Sequence, residues 1–161
     1  MFKVSFIGDF KDVQVFNDKA TVVTLTGRFN MPEWWNNIPH EVYDWIDTHP
    51  SVNINESWAT KEVILDVQGK SLCHTDDSFD AILGERIAES RAKYRIYKFM
   101  HNMCEILMKC YYGIMYGNAE FDIIRESHTE EPKDCLFLTC IRYRELMIKE
   151  SYHLGELLKE A

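Results

Sequence analysis

The stretch GKSLCHTDDSFDAILGERIAESRA, residues 69–92, decides how the rest of the chain is read. It follows a strand-like run, Glu62 to Val67, that ends on a Gln68-Gly69 turn signal, and from Asp77 onward its periodicity is helical. Asp77 is a predicted helix cap, with Asp80 three positions on in a capping-box arrangement, and carboxylates in the first turns suit the positive end of the helix dipole. Gly84, Ala88 and Ala92, preceded by Ala81, form a row of small residues at helical spacing. A glycine inside a helix costs about 1 kcal/mol relative to alanine, so the row predicts close packing against another backbone. That backbone is either the chain's own sheet or a second copy of the chain, with Phe79, Ile82, Leu83 and Ile87 filling the adjoining core.

Working outward, the residues before this stretch predict antiparallel strands. Lys3 to Ile7 and Asp12 to Phe16 alternate, Ala20 to Leu25 is rich in valine and threonine, and Gly8-Asp9 and Asn17-Asp18 are turn signals between them. Pro32 suits a first helical position, and Trp34, Trp35, Ile38, Val42, Trp45 and Ile46 recur at spacings of three and four. Pro39 interrupts that pattern, which predicts one or two short helices lying on the sheet. Residues 51–59 read as a loop.

The residues after it predict two long helices. Ile96, Phe99, Met103, Ile106 and Cys110 step by three and four, Met100, Leu107 and Ile114 widen the apolar surface, and Gly113 and Gly117 flank the helix end. An acidic connection around Phe121 to Ile124 leads to Pro132 and a second long pattern, Lys133 to Leu158, whose apolar positions include Phe137, Ile141, Met147, Leu154 and Leu158. Two long helices with a short connection predict an antiparallel hairpin, while Cys135 to Thr139 also reads as a strand. The expectation is a single α+β domain over residues 1–161. Residues 1–70 supply a small antiparallel sheet with a short helix, and residues 77–160 a long helical hairpin.

Composition sets bounds on function. With 46% apolar residues, 13% aromatics and 27% charged residues, 161 residues bury a sizeable core and do not read as disordered. No run approaches the roughly 18 apolar residues of a membrane span, and the N-terminus MFKVSFIGDF lacks the apolar region of a signal peptide. Five cysteines, an odd number and irregularly spaced, fit a reducing compartment, so a cytoplasmic protein is expected, with no membrane partner.

The net charge of −8 is unevenly spread. Residues 31–90 hold three basic groups against twelve carboxylates, residues 91–116 hold five basic groups against Glu105 alone, and residues 117–134 hold two against six. The molecule is acidic with one basic band. Acidic surfaces repel nucleic acid and attract proteins that bind it, whereas the band suits a phosphate.

Catalytic and metal chemistry finds little support in this pattern. His101 and Cys104 are three apart, and Cys110, Cys73-His74 and the Cys135/Cys140 pair lie elsewhere, but zinc-type pair spacings are missing. No glycine-rich phosphate loop occurs, and Asp76, Asp77 and Asp80 are explained by capping. The sequence therefore predicts no enzyme, no cofactor and no metal.

Binding chemistry has better candidates. Arg91, Arg95 and Lys98 share a helix face, with Tyr94 and Tyr97 beside them; guanidinium forks match phosphates and aromatic faces stack on bases. The competing reading pairs these charges with helix neighbours, as Glu89 with Lys93. A second candidate is an acidic, aromatic face of Glu33, Trp34, Trp35, Glu41, Asp44 and Asp47, with no lysine or arginine between 31 and 60. Its tryptophans also fit a core stripe or an interface hot spot.

The opening stretch resembles short phage and prophage proteins with the pattern G-x3-C-x3-D-x-F-D-x3-G-x2-[IL]-A-x2-R-A. Gly69, Cys73, Asp77, Phe79, Asp80, Gly84, Ile87, Ala88, Arg91 and Ala92 carry the likeness, whereas Thr75 and Ser78 stand where those proteins often have proline and lysine. The resemblance implies a mobile-element accessory protein acting in a bacterial host, of a kind that often inhibits host defence or sequesters its signals. Joined to the acidic surface, it predicts a non-catalytic, anti-CRISPR-like inhibitor of a nucleic-acid-guided nuclease, with a homodimer as a further possibility. The alternatives are a sponge for a nucleotide-derived immune signal, held by the Arg91 to Lys98 band, and a structural or regulatory interaction protein unrelated to defence.

Overall fold

The computed structural model describes residues 5–30, 40–50, 62–73, 78, 80–111 and 131–161. Three strands, β1 (Ser5–Phe16), β2 (Ala20–Asn30) and β3 (Glu62–Leu72), form one antiparallel sheet in the order β1-β2-β3. Asn17 and Asp18, at φ 48° and 50°, make the β1–β2 turn, closed by the Lys19 amide donating to the Phe16 carbonyl at 3.0 Å. Both residue types tolerate the left-handed region, which is the conformation a tight hairpin turn needs.

Gly8-Asp9 does not turn the chain. It falls inside β1, where the pairing shifts register between Phe6 and Lys11, so two expected strands are one strand carrying an irregularity. Gln68-Gly69 is likewise no turn, because β3 continues to Leu72 in unbroken register with β2. Gly69 is there for a different reason, namely the approach of the helix above it.

That helix is α2 (Ala81–Tyr111). Its cap is Asp80, whose Oδ1 accepts from the amides of Ile82 and Leu83 at 3.0 Å each while its carbonyl accepts from Gly84 at 2.9 Å. Asp80 thus occupies the position assigned from the sequence to Asp77, which lies outside the described residues. A Cβ on Gly69 would stand 2.6 Å from the Ala92 amide nitrogen and 2.8 Å from the Ala88 carbonyl carbon, and one on Gly84 3.0 Å from Thr21 Oγ1. The small-residue row therefore packs on the chain's own sheet: Ala88 and Ala92 are fully buried and Gly84 is buried, whereas Ala81 is exposed.

The inner face of the sheet is graded to match. Thr21, Val23, Leu25 and Phe29 on β2 and Val63, Leu65, Val67 and Ser71 on β3 are all buried, at the two-residue period of a half-buried strand. Small Thr21, Gly69 and Ser71 face the start of α2, and larger Leu65, Val63 and Phe29 lie toward its Ile96, Phe99, Met100 and Met103 end. Short helix α1 (His40–Asp47) fills the wider end with Val42 and Ile46.

The remaining element, α3 (Glu131–Glu160), runs antiparallel to α2. Arg86 pairs with Glu160 at 3.1 Å, Ser90 donates to Glu150 at 2.6 Å, and the rings of Tyr97 and Tyr143 lie 6.0 Å apart. The architecture is α+β in three layers, with α2 between the sheet and α3. A helix covered on two sides needs apolar residues on both, which is why the stripe on α2 is broad.

The second long helix is present as expected, and the strand alternative for Cys135 to Thr139 falls, since that segment is helical; Pro132 sits in the first helical turn, where its missing amide costs nothing. The buried positions are Leu136, Thr139, Tyr143 and Leu157, whereas Phe137, Ile141 and Leu158 are exposed. Pro32, Trp34, Trp35, residues 51–59 and residues 112–130 lie outside the described residues. Among those described, no helix is long and apolar enough to cross a membrane.

Candidate functional site

The basic band on α2 is built into the fold. Arg91 Nη1 donates to the Lys70 carbonyl and Arg95 Nη1 to the Gln68 carbonyl at 2.7 Å. Carbonyls two residues apart point the same way along a strand, so the four-residue step on α2 matches the two-residue step on β3. Both acceptors belong to an edge strand, and the two guanidinium groups fasten α2 along that border of the sheet. On the opposite side, Lys11 of β1 pairs with Glu85 at 2.5 Å and Glu89 at 2.6 Å, and Lys93 reaches Glu89 at 2.8 Å from four residues on. The hydrogen bonds that Lys11 donates to Glu85 and Glu89 raise its pKa. Burial works against the Glu89 carboxylate, yet the Lys11 and Lys93 contacts hold its pKa below the usual value.

The four residues of the predicted anion site do not converge. Arg95 and Lys98 line a groove of about 690 Å³ with His49, Gln68, Phe99 and Asn102. Arg91 lines a separate hollow of about 340 Å³, beside Ser71, Cys73 and Gly84. Tyr94 belongs to a third, of about 700 Å³, between α2 and α3. His49 and Asp66 in the first groove went unnoticed in the sequence, since they come from the residues after α1 and from β3, and nothing local marks their meeting.

The acidic face divides into an inner aromatic and outer carboxylates. Trp45 is half-buried and stacks on Phe99, with ring centroids 5.5 Å apart and planes 10° from parallel, and His49 packs against both. Burial lowers the His49 pKa, which keeps that ring neutral near pH 7. Glu41, Asp44 and Asp47 are exposed, with His40 Nδ1 3.0 Å from Asp44 Oδ2. Asp44 and Asp47 stand on the side of α1 opposite Val42 and Ile46. Glu33, Trp34 and Trp35 lie outside the described residues.

Burial holds three of the thiols, Cys104, Cys110 and Cys140, in the protonated form. All five cysteines are unbridged; burial pushes Cys104 well above its ordinary pKa, Cys110 to about 11, and Cys140 upward with help from Glu105. A protonated thiol is a poor nucleophile and a poor metal ligand. Among the described residues no three histidine, cysteine or acidic side chains gather as a metal site. The arrangement is that of a charged scaffold with outward carboxylates. Compared with family models, curated proteins and solved structures, the chain finds no match in any of the three.

Proposed function

We propose that this protein is a non-catalytic, phage-type accessory protein that binds a basic, nucleic-acid-binding host defence factor, a nucleic-acid-guided nuclease being the favoured target, and blocks it by presenting carboxylates where that factor expects phosphates. The observation that carries the reading is the outward row Glu41, Asp44 and Asp47 on a helix anchored by Val42 and Ile46, in a stretch from 31 to 60 with no lysine or arginine. Carboxylates on a seated helix keep a fixed spacing and steer a basic partner from a distance. The sponge reading has less support, since Arg91 and Arg95 are engaged with strand carbonyls and the four candidate residues line three separate hollows.

Capture from host lysate with the wild type and an Asp44→Lys, Asp47→Lys variant, at roughly 50 and 300 mM salt, tests the proposal. The expected result is a basic nucleic-acid-binding protein that the wild type retains at low salt, that high salt and the variant both release, and whose nuclease activity the wild type suppresses. Retention unaffected by salt and by the charge reversal would overturn it.

A further inference from the structure

The groove between β3, α2 and the end of α1 differs in charge from the other two hollows. Beside Ser71, Asp80 faces the same space as Arg91, and between α2 and α3, Glu105 shares the space with Arg144. Among the described residues, the groove of about 690 Å³ sets Arg95 and Lys98 against the carboxylate of Asp66 alone, a cationic lining on a chain of net charge −8. Its donors are largely unspent. Arg95 gives the Gln68 carbonyl one N–H of the five a guanidinium carries, at 2.7 Å, and that bond fixes the group beside β3. Lys98 and Asn102 make no ion pair or hydrogen bond among the described residues.

The polar groups follow one another in a definite order. Arg95, Lys98, Phe99 and Asn102 share one face of α2 and span about 10 Å of its axis. The step that sets Arg91 at Lys70 and Arg95 at Gln68 brings Phe99 level with Asp66. Asp66 Oδ1 accepts from Thr26 Oγ1 at 2.6 Å, which leaves its carboxylate further lone pairs. At the same level the His49 ring lies 5.0 Å from Phe99, which is itself stacked on Trp45. Asn102, with an amide donor and acceptor, stands most of a turn further on.

From end to end the groove thus presents cations, then a carboxylate with an imidazole, then an amide. A ribonucleoside monophosphate carries the complementary groups in the same order. Guanidinium and ammonium groups suit its phosphate, a carboxylate accepts from ribose hydroxyls, an imidazole stacks on a base, and an asparagine pairs with a base edge. Inorganic phosphate would use the first of these positions and leave the others empty.

We propose that this groove binds a ribonucleoside monophosphate, with the phosphate on Arg95 and Lys98, the ribose on Asp66 and the base between His49 and Asn102. Arg91 and Tyr94 line other hollows and take no part. The site stands apart from the carboxylate row of α1 and does not rest on the docking of a partner protein.

Isothermal titration calorimetry of the full chain with AMP, GMP, CMP and UMP, their nucleosides, and inorganic phosphate tests this, with circular dichroism to verify that variants fold. At least one monophosphate is expected to bind with a Kd on the order of 0.1 mM, and its nucleoside and inorganic phosphate each about tenfold or more weaker. Lys98→Glu is expected to weaken that binding by about tenfold and Asn102→Ala by about threefold or more. Lys149→Glu makes the same change in net charge on α3 and is expected to stay within about twofold of wild type. No binding of any monophosphate at about 5 mM would overturn the proposal. So would inorganic phosphate binding as tightly as the monophosphates, Lys98→Glu binding no weaker than Lys149→Glu, or Asn102→Ala binding as wild type does.

Discussion

Replacing Gly69 by alanine tests the contact on which the three-layer arrangement rests. The added methyl would stand 2.6 Å from the Ala92 nitrogen and 2.8 Å from the Ala88 carbonyl carbon, and closer still to the Ala88 carbonyl oxygen. All three are backbone atoms of α2, so no side-chain rotation relieves the overlap. Ordinary contact needs about 3.5 Å, which lifts α2 from β3 by roughly 1 Å or more. A gap of that size forfeits a quarter to a half of each dispersion contact along the row, and it pulls Arg91 and Arg95 away from the Lys70 and Gln68 carbonyls. Overpacking of this kind, against backbone and with two charged hydrogen bonds lost, costs about 3–5 kcal/mol. With a urea slope of roughly 2 kcal/mol per molar, the midpoint falls by about 1.5–2.5 M, read from helix circular dichroism. Two other glycines calibrate the effect. Gly84→Ala meets side chains alone, Thr21 Oγ1 at 3.0 Å and Ser71 Oγ at 3.9 Å, and Gly155→Ala meets nothing within 4 Å. The first is expected within about 1 kcal/mol of wild type and the second to stabilise by about 0.5–1 kcal/mol. A Gly69→Ala protein within 1 kcal/mol of wild type would refute the close approach of α2 to β3.

Two further outcomes follow from the electrostatics. Lys11→Met should destabilise by at most about 1 kcal/mol at pH 7, because the ion pairs it removes are partly exposed. The Glu89 pKa is lowered in the folded state, so its stabilisation is present above about pH 4.5 and lost as pH falls through the folded value; melting temperatures of the two proteins should therefore converge progressively as pH is lowered below about 4.5, and a gap that does not shrink on acidification would contradict the pairing. For the thiols, alkylation of the native protein should be slow at Cys104, Cys110 and Cys140 at pH 8, and the Cys110 rate should climb with pH until about 11. Mass spectrometry of modified peptides measures this, and labelling as fast as in denaturant would show that the burial is wrong.

Legibility differed from element to element. The valines and threonines of Ala20 to Leu25 and the strand-like run Glu62 to Val67 identified β2 and β3 because β-branched side chains suit the extended chain, and the Asn17-Asp18 turn was readable because few residues accept its backbone angles. Gly8-Asp9 and Gln68-Gly69 misled, since a glycine within a strand carries the same local signal as one in a turn. On α3 the helix was legible but its buried side was not. Apolar residues occupy both faces, and periodicity alone does not say which of two apolar stripes meets α2. Among the candidate site residues, the outward carboxylates of α1 followed from spacing. The engagement of Arg91 and Arg95 did not, because their acceptors are backbone carbonyls, to which every residue type contributes alike.

By itself the sequence determined the α+β class, the placing of the two long helices after the sheet and the small-residue row from Gly84 to Ala92, since each depends on local periodicity and residue size. Tertiary structure alone decided what that row meets, where the arginines are spent and which stripe of α3 is left uncovered. Those outcomes depend on which surfaces come within a few ångströms of one another across more than twenty residues of chain, and no local pattern encodes that distance.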